Sequence, residues 1–232
     1  MKRLSILSFF ILGVIVAQAQ KESGAGAGNE LRFSAGIHAG TQGFGMNAGY
    51  QVHRRWIIGL AASHAPYGYT TTRTLGKNEY NIKMKEKLSN IQAIAGWSPF
   101  GGVHSGGLWS RLYLDAGVAA FYNMEANATA TPKNDYQYGD LIIKKEDLGK
   151  VDAHVQWKKI APYAGLALHG LGLGNRFVFN ANLGTYYLSK PEVHITADNL
   201  LSENTSQEGT AQKNLENYRW LPVVQAGVAY KF

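Results

Sequence analysis

Seven histidines (His38, His53, His64, His104, His154, His169 and His194) are the first side chains to weigh as metal ligands or general bases. No two are spaced as H-x-H or H-x-x-x-H, so no short segment presents a ready ligand pair. The chain has no Cys, which excludes a disulfide scaffold, a zinc ribbon, an iron–sulfur protein and a thiol enzyme. Ser63 directly precedes His64, the residue types of a nucleophile and its base. Neighbours on a strand point to opposite faces, so these two cannot bond each other, and only a serine from another strand could serve. Gly170-Leu171-Gly172-Leu173-Gly174 has the composition of a phosphate loop, but no helical pattern follows it, and it reads as a turn. No catalytic residue, cofactor or metal is expected.

The elements that would position such groups have a period of two, the signature of strands with one apolar and one polar face. From Leu31, Phe33, Ala35, Ile37 and Ala39 alternate with Arg32, Ser34, Gly36 and His38. Phe44 to Val52 repeats the pattern after the turn at Thr41-Gln42-Gly43. Further strands are expected over Trp56 to about Tyr69, Tyr80–Trp97, Leu108–Asn123, Ile160–His169, Phe177–Tyr187 and Trp220–Phe232. The phase of the fourth slips near Leu88–Asn90, the mark of a bulge. Eight strands with almost no helical period between them predict an all-β, antiparallel, up-and-down barrel.

Residues 1–19 are expected to be a signal peptide. Lys2 and Arg3 precede an apolar run from Leu4 to Ala17, and Ala17-Gln18-Ala19 has the small-x-small form of a cleavage site. The run is shorter than the roughly 20 residues a spanning helix needs. Residues 20–30, rich in Gly and Ala, read as a flexible leader, and 31–232 as the barrel. A net charge of +7 over 232 residues hints at a polyanion, but Lys2 and Arg3 leave with the signal peptide, and the +5 that remains (21 − 16) is modest for a nucleic-acid binder. Nucleic acid is not an expected partner.

A soluble barrel would carry Lys and Glu on its outer face. Here the polar face is mainly Gly, Ala, Asn, Gln and Tyr, which suits the crowded interior of an eight-stranded barrel. The apolar face sets Trp56, Trp97, Trp220, Tyr230 and Phe232 at strand ends, as in an interfacial girdle. Long connections alternate with short ones. Together these predict a transmembrane barrel with a filled polar lumen. Its lumen network would include Arg32, His38, Arg111, Asp115, Tyr163 and Asn182. Arg111 and Asp115 lie four residues apart on one strand, too far to pair directly, so each needs a partner from elsewhere. Arg73, Lys77, Lys83, Lys85 and Lys87 make one connection basic, and on an outer rim they would face the phosphates of lipopolysaccharide.

The whole barrel region resembles the small eight-stranded outer-membrane barrels of Gram-negative bacteria, the OmpX and OmpA-barrel type. Val228, Tyr230 and Phe232 match the terminal signal that such proteins present to the barrel-assembly machinery. Trp97-Ser98-Pro99-Phe100-Gly101-Gly102, Ala161-Pro162-Tyr163-Ala164-Gly165-Leu166 and Asn182-Leu183-Gly184-Thr185-Tyr186-Tyr187 are similar to segments of a more restricted outer-membrane protein family with no assigned activity. That family's pattern has an acidic residue where Gly96 stands here. The resemblance implies an exported, monomeric outer-membrane protein with a structural or interaction role. The alternatives are a narrow, porin-like channel for small solutes and a barrel enzyme that modifies lipid A.

Overall fold

The computed structural model describes residues 32–75, 78–101, 107–138, 141–173 and 176–232. The expected signal peptide and leader fall outside them, as do Lys77 and His104. Eight strands close a barrel: β1 (Phe33–Gly40), β2 (Gly43–His53), β3 (Trp56–Leu75), β4 (Asn78–Trp97), β5 (Leu112–Pro132), β9 (Ile160–Gly172), β10 (Phe177–Tyr187) and β12 (Trp220–Lys231). Each pairs antiparallel with its neighbours in that order, and β12 returns to β1 from Ser34↔Lys231 to Gly40↔Gln225. Closure leaves no unpaired edge around this part of the wall.

Inside and outside follow the two-residue period. Outward-pointing Ile37, Phe44, Leu60, Ile91, Leu183 and Val224 are exposed, while His38, Gln92, Asp115, Tyr186 and Gln225 are buried. This inverts the usual globular arrangement: the apolar face is the outside. The β1–β2 and β3–β4 turns and the two longest connections share one end, here the loop rim. Both strand termini of the seam, Phe33 and Lys231, lie at the other, the terminal rim.

Several elements differ from the expected strands. β3 and β4 run 20 residues each and β5 runs 21, well past the barrel on the loop side. The expected loop over 125–157 is therefore partly sheet. β5 continues through Ala126, Ala128 and Ala130, and β8 (Val151–Gln156) pairs with it from Glu125↔Gln156 to Ala130↔Val151. β11 (Glu192–Ala197) pairs with β8 in turn. Alanines and a six-residue strand give a weak alternation, which the surrounding charges mask. A small hairpin, β6 (Tyr136–Tyr138) with β7 (Leu141–Ile143), and a one-turn helix α1 (Lys145–Leu148) occupy the same connection. The faint helical period after Leu200 becomes a 3-10 segment, Asn199–Gln207, followed by helix α2 (Glu208–Leu215). Leu108–Arg111, expected as the start of a strand, is a 3-10 turn.

Two side chains of this helical segment seal the outer edge of β11. Val193 N donates to Gln212 Oε1 at 2.9 Å, and Ile195 N donates to Glu208 Oε2 at 2.9 Å. Gln212 Nε2 also reaches Pro191 O at 2.7 Å. An open edge is a template for another chain, and here side chains occupy its donors.

The irregularity foreseen in the fourth strand lies between Ser89 and Asn90, but the extra residue, Tyr122, is on β5. The bulge keeps Phe121 inside and puts Tyr122 outside. It also reverses the phase beyond, so Asn123, expected inside, is exposed. A second shift, in the β9–β10 pairing, places Gly170 at φ 71, a left-handed conformation that disfavours a side chain.

Candidate functional site

The lumen has two parts. Toward the loop rim it is plugged. Gln42, from the β1–β2 turn, folds inward and is only 2% exposed. Its Nε2 donates to the Tyr186 phenol at 3.1 Å, and its Oε1 accepts from Asn90 Nδ2 at 2.8 Å. The phenol in turn donates to Gln92 Oε1. Two strands, β4 and β10, and a turn are thus joined across the lumen by amides around one hydroxyl. Tyr186 also packs edge-on against Phe121 at 5.3 Å between centroids and tilted against Tyr163 at 5.1 Å. Leu188 and Val223 complete this aromatic and aliphatic layer.

Toward the terminal rim the lumen widens into a cavity of about 80 Å³. Arg32, Asn47, Gln51, Arg111, Tyr113, Asn180, Asn182 and Lys231 are among its lining residues. Asp115 is buried behind it and meets His169 Nε2 on β9 at 3.1 Å, while its other oxygen has no partner. Gln51 Nε2 donates to the Tyr113 phenol at 3.4 Å.

The residues expected in a lumen network therefore part company. His38 shares a 2.9 Å hydrogen bond with Ser63, and Asp115 finds His169. Tyr163 stacks on Tyr186 with its hydroxyl unpaired, beside Gly165 and Gly184. Arg32, Arg111 and Asn182 line the cavity, and Arg111 is not brought to Asp115. Gln42 was not expected to take part, because a turn residue carries no strand parity. The neighbouring Gly43, a glycine suited to φ 83, was the visible sign of a tight inward turn.

Ser63 and His64 do face opposite ways. Ser63 bonds His38 inside, while His64 Nδ1 meets Ser89 Oγ at 2.7 Å on the outer parity. His154 and His194, forty residues apart in the chain, are direct cross-strand partners in β8 and β11. His154 Nδ1 is already engaged with Asn127 Oδ1 at 2.6 Å. Among the described residues, no three His, Asp or Glu side chains gather as a metal site.

The basic residues of the β3–β4 hairpin take a definite side. Lys83, Lys85 and Lys87 pair with Thr70, Gly68 and Pro66, so all three continue the outward face above the apolar wall. Lys87 reaches Glu125 at 3.3 Å, and Arg73 is exposed near the hairpin tip. On the same face of the extended sheet, the Thr129 hydroxyl donates to Asp152 Oδ1 at 2.6 Å and Lys150 pairs with its other oxygen at 3.0 Å. Thr129 first, then Lys150, hold the Asp152 carboxyl below its ordinary range, and Asp152 raises the Lys150 ammonium in return.

At the seam, Phe232 N donates to Phe33 O at 2.9 Å, and the two rings lie 5.6 Å apart. Tyr230 packs between Phe177 and Phe232, at 5.3 and 5.0 Å, and receives a hydrogen bond from Arg176. Val228 is outward on the same strand, paired with Ile37 and Phe179.

This closed wall is also found elsewhere. The crystal structure of Acinetobacter baumannii CarO matches with a TM-score of 0.59 at 20% identity, over 89% of this chain and 100% of that one. That of A. baumannii CarO2 matches with a TM-score of 0.61 at 18% identity, over 87% and 98%. The likeness is one of fold. No family model matches, and no curated protein does.

Proposed function

We propose that the chain is a monomeric outer-membrane β-barrel of a Gram-negative bacterium, with a structural and contact role rather than a catalytic one. The observation that carries this reading is the outer wall. Leu114, Leu166, Leu183 and Val224 are consecutive cross-strand partners over four strands, all apolar and all exposed. An apolar belt of this kind has no place in water, and a closed sheet is one of the two backbone forms that hydrocarbon admits. Trp56 and Trp97 pair at one end of the belt and Tyr187 with Trp220 at the other, where rings with a polar edge favour the headgroup level.

Above the belt, Lys83, Lys85 and Lys87 stand where a lipopolysaccharide leaflet would present its phosphates, with Arg73 beyond them. The Gln42–Tyr186 plug supports a barrel that does not conduct. A lipid-A-modifying activity has one feature in its favour, the His64–Ser89 hydrogen bond on the outer parity. Ser89 is fully buried, and no carboxylate among the described residues orients His64, so we assign the pair to structure. Val228, Tyr230 and Phe232 are assigned to recognition by the barrel-assembly machinery.

The test is reconstitution into vesicles whose acyl chains are brominated. Quenching of the fluorescence from outward Trp56, Trp97 and Trp220 supports the reading. Unquenched emission, together with a protein that fractionates with soluble contents in cells, refutes it.

A further inference from the structure

We propose that the terminal-rim mouth of the lumen binds an oxyanion of the phosphate class. Three basic side chains, Arg32, Arg111 and Lys231, line one cavity of about 80 Å³, together with amide donors such as Asn180 and Asn182. No carboxylate lines it among the described residues, since Asp115 lies behind and is turned to His169. Among the described residues, none of the three is held in an ion pair there.

The geometry at Gly170 makes the point more sharply. The position its Cβ would take lies 3.2 Å from Arg111 Nη1 and 3.3 Å from Lys231 Nζ. The two cationic heads are therefore no further apart than those two distances combined. Like charges at that range repel, and the repulsion grows as the surroundings exclude water. Proteins normally place an acidic side chain in such a gap. Here the residue at the gap is a left-handed glycine, which leaves the space between the heads open. An anion with several acceptor oxygens is what such a gap is suited to take. It would accept charge-assisted hydrogen bonds from the guanidinium of Arg111 and the ammonium of Lys231. Tetrahedral phosphate suits both donors at once, because its oxygens point several ways.

The source of the phosphate group can be a free ion or the headgroup of a lipid at the rim, and one experiment separates them. Purified, folded protein in an uncharged maltoside detergent is titrated with inorganic phosphate and, separately, with glycerol 3-phosphate, at constant ionic strength. Calorimetry reads the affinity, and arginine modification by phenylglyoxal, mapped by mass spectrometry, reads the place. Saturable binding is expected, weakened at least tenfold by Arg111→Gln and by Lys231→Gln and unchanged by Lys213→Gln on α2. In the unaltered protein, ligand should protect Arg32 and Arg111 while leaving Arg73 reactive. Tighter binding of glycerol 3-phosphate would assign the site to a lipid headgroup, and equal or tighter binding of phosphate to the free ion. Absence of saturable binding, or no protection of Arg111 in the unaltered protein, overturns the proposal. The protection readout stands even if a variant fails to fold.

Discussion

Gln42 and Tyr186 lie 144 positions apart in the chain, yet the amide of one and the phenol of the other are hydrogen-bonded at the centre of the lumen. This contact joins the first turn of the barrel to its seventh wall strand. Replacing Tyr186 by Phe keeps the ring packing but removes the hydroxyl, leaving Gln92 Oε1 without its donor and Gln42 Nε2 without its acceptor. A buried polar group stripped of its partner costs about 1–3 kcal/mol. Urea unfolding of Tyr186→Phe in lipid vesicles should show a loss of that size, with Tyr187→Phe on the outer wall losing much less.

The same plug bears on conduction. An eight-stranded interior is just wide enough for side chains, and here amides and rings meet across it. Planar-bilayer recordings of the unaltered protein should show no stable single-channel steps. Steps of reproducible size, lost on bulky substitution at Gly184, would promote the channel reading.

Arginine scanning separates lipid-facing from water-facing positions on the outer parity. At Leu114, Leu183 or Val224, Arg should cost roughly 2–4 kcal/mol near the bilayer midplane. At Thr70, exposed on the same outward parity but in the sheet beyond the barrel, it should be nearly neutral. Equal tolerance at all four positions would contradict a lipid-facing belt.

Phe232 seats its ring against Phe33 and Tyr230 at the seam. Phe232→Asp should lower the amount of folded protein in the outer-membrane fraction of cells and raise the degraded or periplasmic pool. An unchanged level, measured by heat-shifted mobility on gels, would remove Phe232 from the assembly signal.

Asp152 makes the loop-rim sheet sensitive to acid. Its carboxyl is held below its ordinary range in the folded protein, so its contribution is present at neutral pH, above the unfolded value near 3.8, and fades as pH falls through the lower folded value. The pair is exposed, so solvent screening keeps its contribution small. Hydrogen-exchange protection at β8, taken relative to the intrinsic rate at each pH, should therefore fall below about pH 4, and Asp152→Asn should show the lower protection already at pH 7.

The barrel was legible because strict alternation over long apolar strands leaves little room for another period. Leu112, Leu114, Ala116 and Val118 admit only one inside. The loop-rim sheet was not legible, since Ala126, Ala128 and Ala130 signal little and β8 spans six residues between charged segments. The bulge could be sensed as a slip but not placed, because the slip shows in β4 while the added residue sits in β5. Pairings within the lumen were beyond the sequence altogether. That Asp115 meets His169 and not Arg111 depends on the register of β5 with its neighbour β9, and that Gln42 reaches Tyr186 depends on what faces the first turn across the axis.

The seam between Ser34 and Lys231 also sets a timetable. These partners are separated by nearly the whole described chain, so closing the ring is among the most distant contacts the molecule makes. Loop closure grows costlier with length only slowly, but rates fall steeply when structure depends on distant pairings. Until β12 is delivered, β1 and β10 both stand with bare edges, and no part of the wall can enter hydrocarbon without exposing backbone. The last strand is thus the step that commits the rest. An arrest just before it should leave a chain that is soluble only under escort and quickly destroyed without one.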